Sequence, residues 1–249
     1  MKICVVIPAR YGSSRFPAKV LAKETGKYLV QHTYEQALCA ESVQEALIAT
    51  DDQCVMDACV EFGGACVMTS ADHQSGTDRI AEAVANMDVD IIVNLQADEP
   101  EIDPNYIDQV ARLLVDNPDA VMATLLAPFD NAEDVDNPNI VKCITDVDGK
   151  AIYFSRSVIP YDRQSAGVGD TSIYKRHLGI YAYRKDFLMT FTSLKPSFLE
   201  QTEKLEQLRA IENGYTILTG MVEKAWDGVD TQEQYQAFVE RVTKLRTKG

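Results

Sequence analysis

The chain opens on an unbroken apolar run, Ile3-Cys4-Val5-Val6-Ile7, which predicts a strand covered on both faces. Further strand-like runs follow at residues 46–49, 65–68, 90–95 and 120–126. Between them, residues 28–40, 54–61, 77–86 and 103–115 repeat apolar positions at helical spacing, the second closed by Gly63-Gly64 and the last led by Pro104 in its first turn. Strands alternating with helices predict a doubly wound, mostly parallel α/β sheet with helices on both faces.

After Pro128 the pattern changes. Strand-like residues 140–145 and 151–154 flank Asp148-Gly149, a hairpin turn signal. Residues 173–183 predict another strand, and helices begin near Asp186 and Ser197. Ser197 with Glu200, and Thr231 with Gln234 before a final helix, fit capping boxes. Residues 163–172, rich in Gly, Ser and Asp, read as a mobile loop. The expectation is a single domain over residues 1–249, carrying a smaller mixed excursion at about 128–190, with the final helix packing back.

The first strand empties into Pro8-Ala9-Arg10-Tyr11-Gly12-Ser13-Ser14-Arg15-Phe16-Pro17-Ala18-Lys19. Small residues let backbone N–H groups approach an anion, and Arg10, Arg15 and Lys19 supply cations at the sheet edge where open α/β folds bind ligands. The spacing is neither a Walker A loop nor a dinucleotide fingerprint. A basic turn is also a common solvated feature, so this loop gains meaning from its neighbours. Two further polar clusters end strands on the same predicted edge. In Asp72-His73-Gln74-Ser75-Gly76-Thr77-Asp78-Arg79, Ser75-Gly76-Thr77 either presents backbone groups to a base edge or caps a helix. In Gln96-Ala97-Asp98-Glu99, a carboxylate directly after an apolar strand suits Mg²⁺, which takes one or two carboxylates with phosphates and water. Surface solvation is the alternative for Glu99. Asp230, in Gly228-Val229-Asp230-Thr231, is a second metal ligand or a charge favouring the helix dipole.

Composition narrows the partners. With 249 residues and 46% hydrophobic content a substantial core is available. A net charge of -14 argues against nucleic acid or an anionic membrane as partner. The N-terminal apolar run is too short for a signal peptide or a membrane span, which predicts a cytoplasmic protein. Six cysteines without Cys-x-x-Cys spacing predict buried, inert thiols, and His32, His73 and His177 show no metal-ligand spacing.

Eight segments together carry a resemblance. They are Ile7 to Arg15, Ala71 to Arg79, Asn94-Leu95-Gln96-Ala97-Asp98-Glu99-Pro100, Asn137-Pro138-Asn139, Tyr153-Phe154-Ser155-Arg156-Ser157, Arg176-His177-Leu178-Gly179-Ile180-Tyr181, Leu205-Glu206-Gln207-Leu208-Arg209 and Gly228-Val229-Asp230-Thr231. In this order they resemble the CMP-Kdo synthetases, the 3-deoxy-manno-octulosonate cytidylyltransferases, over nearly the whole chain. The resemblance implies transfer of CMP from CTP to Kdo, an acidic eight-carbon sugar, with release of pyrophosphate, in the supply of sugar for lipopolysaccharide. It implies Arg10, Ser13 and Lys19 on the triphosphate, Ser75, Gly76 and Arg79 by the cytosine, and Asp98 and Asp230 on Mg²⁺. Arg10, Lys19 and Asp98 would carry the catalysis, and Gln96, Arg156, His177, Tyr181 and Glu206 would form the sugar pocket. A homodimer is implied, with much of its contact in the excursion.

The chain departs from the family pattern at Ala18, Val20, Tyr28, Ala97 and Glu101. Ala97 and Glu101 flank the implied metal and sugar site and bear on the sugar's identity. A carboxylate at 101 would suit the ammonium of an 8-amino-8-deoxy Kdo, or it is a solvated residue leading a helix. A glycosyltransferase and a non-catalytic nucleotide sensor on a similar sheet are the competing classes.

Overall fold

The computed structural model describes residues 1–12, 16–226 and 228–246. The chain divides into two compact units, residues 1–108 with 226–249, and residues 109–225. In chain order the first holds β1 (Ile3–Ala9), α1 (Leu29–Cys39), β2 (Glu45–Thr50), α2 (Gln53–Phe62), β3 (Cys66–Met68), α3 (Gly76–Val84) and β4 (Ile91–Asn94). Next comes α4 (Pro104–Asp116). The second unit holds β5 (Met122–Pro128), α5 (Ala132–Asp136), β6 (Lys142–Thr145), β7 (Ala151–Ser155), β8 (Lys175–Arg184), α6 (Lys185–Ser193), α7 (Phe198–Glu203), α8 (Leu208–Glu212) and β9 (Ile217–Met221). The chain then returns to the first unit as α9 (Gln232–Arg246).

The first unit's sheet runs β3-β2-β1-β4, all parallel. Val5 stands opposite both Ala46 and Val93, which makes β1 an interior strand, and every residue of β1 is buried. An all-apolar sequence is what such a position demands. Local signals set the helix ends. Asp52 caps α2 by accepting from the Cys54 amide at 2.8 Å, and Gly63 closes it at φ 74°. α4 buries Ile107, Val110, Ala111 and Leu114, one face at helical spacing. The final helix does pack back. Tyr235 and Phe238 of α9 join Leu29 and Val229 in a buried cluster with Phe16 and Ala22 against it, and the Tyr235 hydroxyl accepts from the Glu24 amide at 2.8 Å. This cluster secures the loop that carries Lys19.

In the second unit β5 pairs antiparallel with β8 and parallel with β9, while β6 and β7 form an antiparallel hairpin. Gly149 turns that hairpin at φ 78°, a conformation glycine adopts without steric cost. The mostly parallel α/β architecture read from the chain therefore stands. β9, α5 and α8 were not expected. The two helices are only five residues each, too short for periodicity to show. β9, Ile-Leu-Thr-Gly-Met, follows Gly214 and carries a glycine, so its signal is weak. The thiols need a correction. All six cysteines are free, yet Cys39 and Cys54 are exposed. α1 buries Leu29, Val30, Thr33, Tyr34 and Ala37, and α2 buries Val55, Ala58 and Cys59, which leaves both exposed thiols off the buried stripes.

Candidate active site

In the first unit the carboxyl ends of β1 and β4 open into a cavity of about 370 Å³. Pro8, Arg10 and Gly12 line it from the β1 loop, Gln96, Ala97 and Asp98 from the end of β4, and Gly76 from the start of α3. Lys19, Val20 and Asp230 complete the wall. Six sequence-predicted residues thus meet here: Arg10, Lys19, Gly76, Gln96, Asp98 and Asp230.

Lys19 is the hub of the cavity. Its Nζ donates to Asp98 Oδ2 at 2.5 Å, Asp230 Oδ1 at 2.8 Å and the Val229 carbonyl at 3.2 Å. Burial lowers the ammonium's pKa, but the carboxylates of Asp98 and Asp230 outweigh it and the net shift is upward, so the charge persists at neutral pH. The backbone at Ala97 and Asp98 is fixed by Thr33, whose hydroxyl donates to the Ala97 carbonyl at 3.1 Å, and by the Val229 amide, which donates to the Asp98 carbonyl at 2.8 Å. The Asp230 backbone and side chain serve different neighbours. Gln234 Oε1 accepts from the Asp230 and Thr231 amides at 2.8 and 3.0 Å, and the Thr231 hydroxyl accepts from the Gln234 amide at 3.3 Å. The capping box occupies Thr231 and Gln234, and the Asp230 carboxylate faces Lys19.

Two aspartates converging on one ammonium are a donor set that fits Mg²⁺, which completes its shell with phosphate and water oxygens. Among the described residues no group of three or more ligating side chains converges anywhere.

The loop before Lys19 stores strain. Ala18 has φ 55° and ψ 26°, a left-handed conformation that costs a residue with a Cβ about 1–2 kcal/mol. Gly76 is a close approach, since a Cβ there would stand 3.3 Å from Pro8 Cγ. The start of α3 can therefore lie against the end of β1. Arg10 is exposed and donates to the His73 carbonyl at 3.3 Å. His73 itself pairs with Glu82.

The base-reading candidates separate. Ser75 caps α3, accepting from the Asp78 amide at 3.1 Å while Asp78 accepts from the Ser75 amide at 3.2 Å. Arg79 is fully buried, and its guanidinium donates to Asp51 Oδ2 at 2.6 Å and Thr69 Oγ1 at 2.5 Å. It does not line the cavity. Ser13 lies outside the described residues.

The remaining sugar candidates lie in the second unit. Rings of His177 and Tyr181, both on β8, are 5.4 Å apart, and Phe154 stands edge-on to His177 at 4.9 Å. Burial pulls the His177 pKa down to about 3, so this imidazole is neutral at working pH. Burial, then the charge of Glu206, raises Tyr181 well above the usual phenol range. Arg156 donates from Nε to the Glu203 carbonyl at 2.7 Å, and from its terminal nitrogens to Pro138 and Lys204 carbonyls at 3.0 and 3.4 Å. Glu203, which the sequence did not single out, accepts from the Ser155 hydroxyl at 2.6 Å and the Arg156 amide at 3.0 Å.

The sequence from residue 4 to residue 218 matches the model of the family described as cytidylyltransferase. The chain belongs to the cytidylyltransferase family. Among relatives of this cytidylyltransferase, the 3-deoxy-manno-octulosonate cytidylyltransferase of Pelobacter propionicus is 46% identical, with 100% of both chains covered. That of Syntrophotalea carbinolica is 47% identical over 94% of this chain and 95% of its own. A solved structure of CMP:2-keto-3-deoxy-manno-octonic acid synthetase complexed with CTP superposes with a TM-score of 0.92. It is 41% identical and covers 98% of this cytidylyltransferase and 99% of itself.

One departure from the family pattern now has a structural partner. Glu101 receives Arg241 of α9 through two nitrogens, Nε at 3.0 and 3.1 Å and a terminal nitrogen at 2.5 Å. Its carboxylate fastens the final helix of this cytidylyltransferase.

Proposed function

We propose that this cytidylyltransferase joins CMP from CTP to Kdo and releases pyrophosphate, supplying activated sugar for lipopolysaccharide. The observation that carries the reading is Lys19 held between Asp98 and Asp230 at the mouth of a cavity that Arg10 and Gly76 also line. An anionic triphosphate needs such cations, and the chemistry needs no covalent enzyme intermediate. The sugar's anomeric hydroxyl oxygen bonds to the α-phosphorus, the bond to the pyrophosphate oxygen breaks, and the hydroxyl proton leaves to solvent. Arg10 and Lys19 neutralise the phosphate oxygens as charge shifts onto the leaving group. Asp98 and Asp230 would hold Mg²⁺, which polarises phosphate oxygens when bound.

Cytosine is read by the backbone around Ser75-Gly76. Arg79 supports that segment from beneath, through Thr69 and Asp51. Arg156, His177, Tyr181 and Glu206 of the second unit take the sugar, with neutral His177 serving as a hydrogen-bonding group and not as a cation. Kdo is favoured over its 8-amino form because Glu101 already has Arg241 as its cation. The enzyme works in the cytoplasm as a homodimer. Among the described residues no helix is long and apolar enough to cross a membrane.

The test is pyrophosphate release from CTP with Mg²⁺ and either sugar. Kdo-dependent release with formation of CMP-Kdo is expected. Release only with the 8-amino sugar would change the substrate, transfer without pyrophosphate would favour a glycosyltransferase, and CTP binding without turnover would favour a sensor.

A further inference from the structure

Lys142, on β6, is the only fully buried lysine among the described residues. Its Nζ donates to three backbone carbonyls, Asn137 at 3.0 Å, Ile140 at 2.8 Å and Arg156 at 2.6 Å. An ammonium has three N–H groups, so all its donors are matched. Among the described residues no carboxylate hydrogen-bonds to it; Asp136 and Glu203 act only at a distance, and Arg156 adds a like charge. Burial holds its pKa below the ordinary lysine value. A buried charge without an ion-pair partner is costly, and an apolar side chain of similar size would fill the space more cheaply.

The arrangement around Lys142 is reciprocal. Lys142 grips the Arg156 carbonyl and two carbonyls of the 137–140 loop, while the Arg156 guanidinium grips the Pro138 carbonyl of the same loop. Among the described residues three of the five guanidinium N–H groups are engaged, at Glu203, Pro138 and Lys204, and the other two can serve a ligand. We infer that Lys142 is a positioning residue for the acidic sugar. It clamps the two loops that aim Arg156, and its positive charge, with no hydrogen-bonded carboxylate among the described residues, favours a carboxylate in front of them. This inference rests on the reading that Arg156 takes the sugar.

Lys142→Met and Lys142→Arg are compared with Arg156→Lys, measuring KM for sugar and for CTP separately, kcat, and thermal unfolding. Lys142→Met is expected to raise sugar KM at least about tenfold, because displacement of a binding group by about an ångström weakens its contribution steeply. CTP KM should stay within about twofold, and Lys142→Arg should recover part of the loss by restoring the charge. A folded Lys142→Met with unchanged sugar KM and only a lower Tm makes the lysine merely structural and overturns the inference. If Lys142→Met does not fold, Lys142→Arg decides alone. A selective rise in its sugar KM supports positioning, and no rise or an equal rise for CTP refutes it. An unchanged sugar KM in Arg156→Lys removes the pocket reading and this inference with it. A rise there with none in the Lys142 variants removes the inference alone.

Discussion

Replacing Lys19 by Met tests whether Asp98 and Asp230 form a cation site. The ammonium lies 2.5 Å from Asp98 and 2.8 Å from Asp230, with the lysine side chain 12% exposed and the carboxylates 26% and 39%. A divalent ion entering this place must displace those contacts. Hydrogen bonds between charged groups contribute about 1.5–3 kcal/mol when buried. The more exposed Asp230 pair is discounted heavily for solvent screening. A combined competition of about 2 kcal/mol follows, roughly a thirty-fold effect on affinity. Lys19→Met should therefore bind Mn²⁺ about thirty-fold more tightly than the unmodified protein with CTP absent, read by electron paramagnetic resonance titration, even as turnover collapses for want of a phosphate contact. Adding Asp98→Asn to Lys19→Met should abolish the gain. Equal Mn²⁺ affinity with and without Lys19 would refute the two-carboxylate site.

Ala18→Gly should raise stability by about 0.5–1 kcal/mol in urea unfolding, since relief at φ 55° exceeds the added entropy of the unfolded chain; a loss would show that the loop is not strained. Asp51→Ala should cost about 3–5 kcal/mol because it strands the fully buried Arg79, and a cost below 1 kcal/mol in the same assay would exclude that pairing. His177 has a folded pKa of about 3 against an unfolded 6.5, so the unfolded chain gains a proton first and stability falls as pH drops from 6.5 towards 3. Between pH 7 and 5 the unmodified protein should lose about 2 kcal/mol more than His177→Gln; parallel losses would contradict a desolvated ring. Glu101→Leu should leave the choice between Kdo and its 8-amino form unchanged while lowering Tm slightly through the lost Arg241 pair, and a narrowed preference for the amino sugar would return Glu101 to the sugar pocket.

What the sequence made legible was local or continuous. β1 and β4 announce themselves by apolar runs, α2 by Gly63, and the β6–β7 hairpin by Gly149. The arrangement at Lys19 was hidden because its partners lie 79 and 211 positions away. Nothing in residues 72–79 distinguishes an arginine that reaches a ligand from one buried against Asp51, a pairing set by how β2 and α3 meet. The partner of Glu101 was hidden for the same reason, since Arg241 lies 140 positions further on. Lys142 reads as an ordinary strand residue until its three carbonyls are in place.

We propose that Lys19, Asp98 and Asp230 carry the cytidylyl transfer. The most direct measurement is Kdo-dependent pyrophosphate release from CTP with Mg²⁺, run beside UTP and beside Asp98→Asn and Asp230→Asn. Stoichiometric pyrophosphate and CMP-Kdo are expected from CTP, with far lower kcat/KM for UTP. Both aspartate variants should remain folded and lose turnover. Normal turnover in both variants at limiting Mg²⁺, or no CMP-sugar from the unmodified protein, would contradict the account.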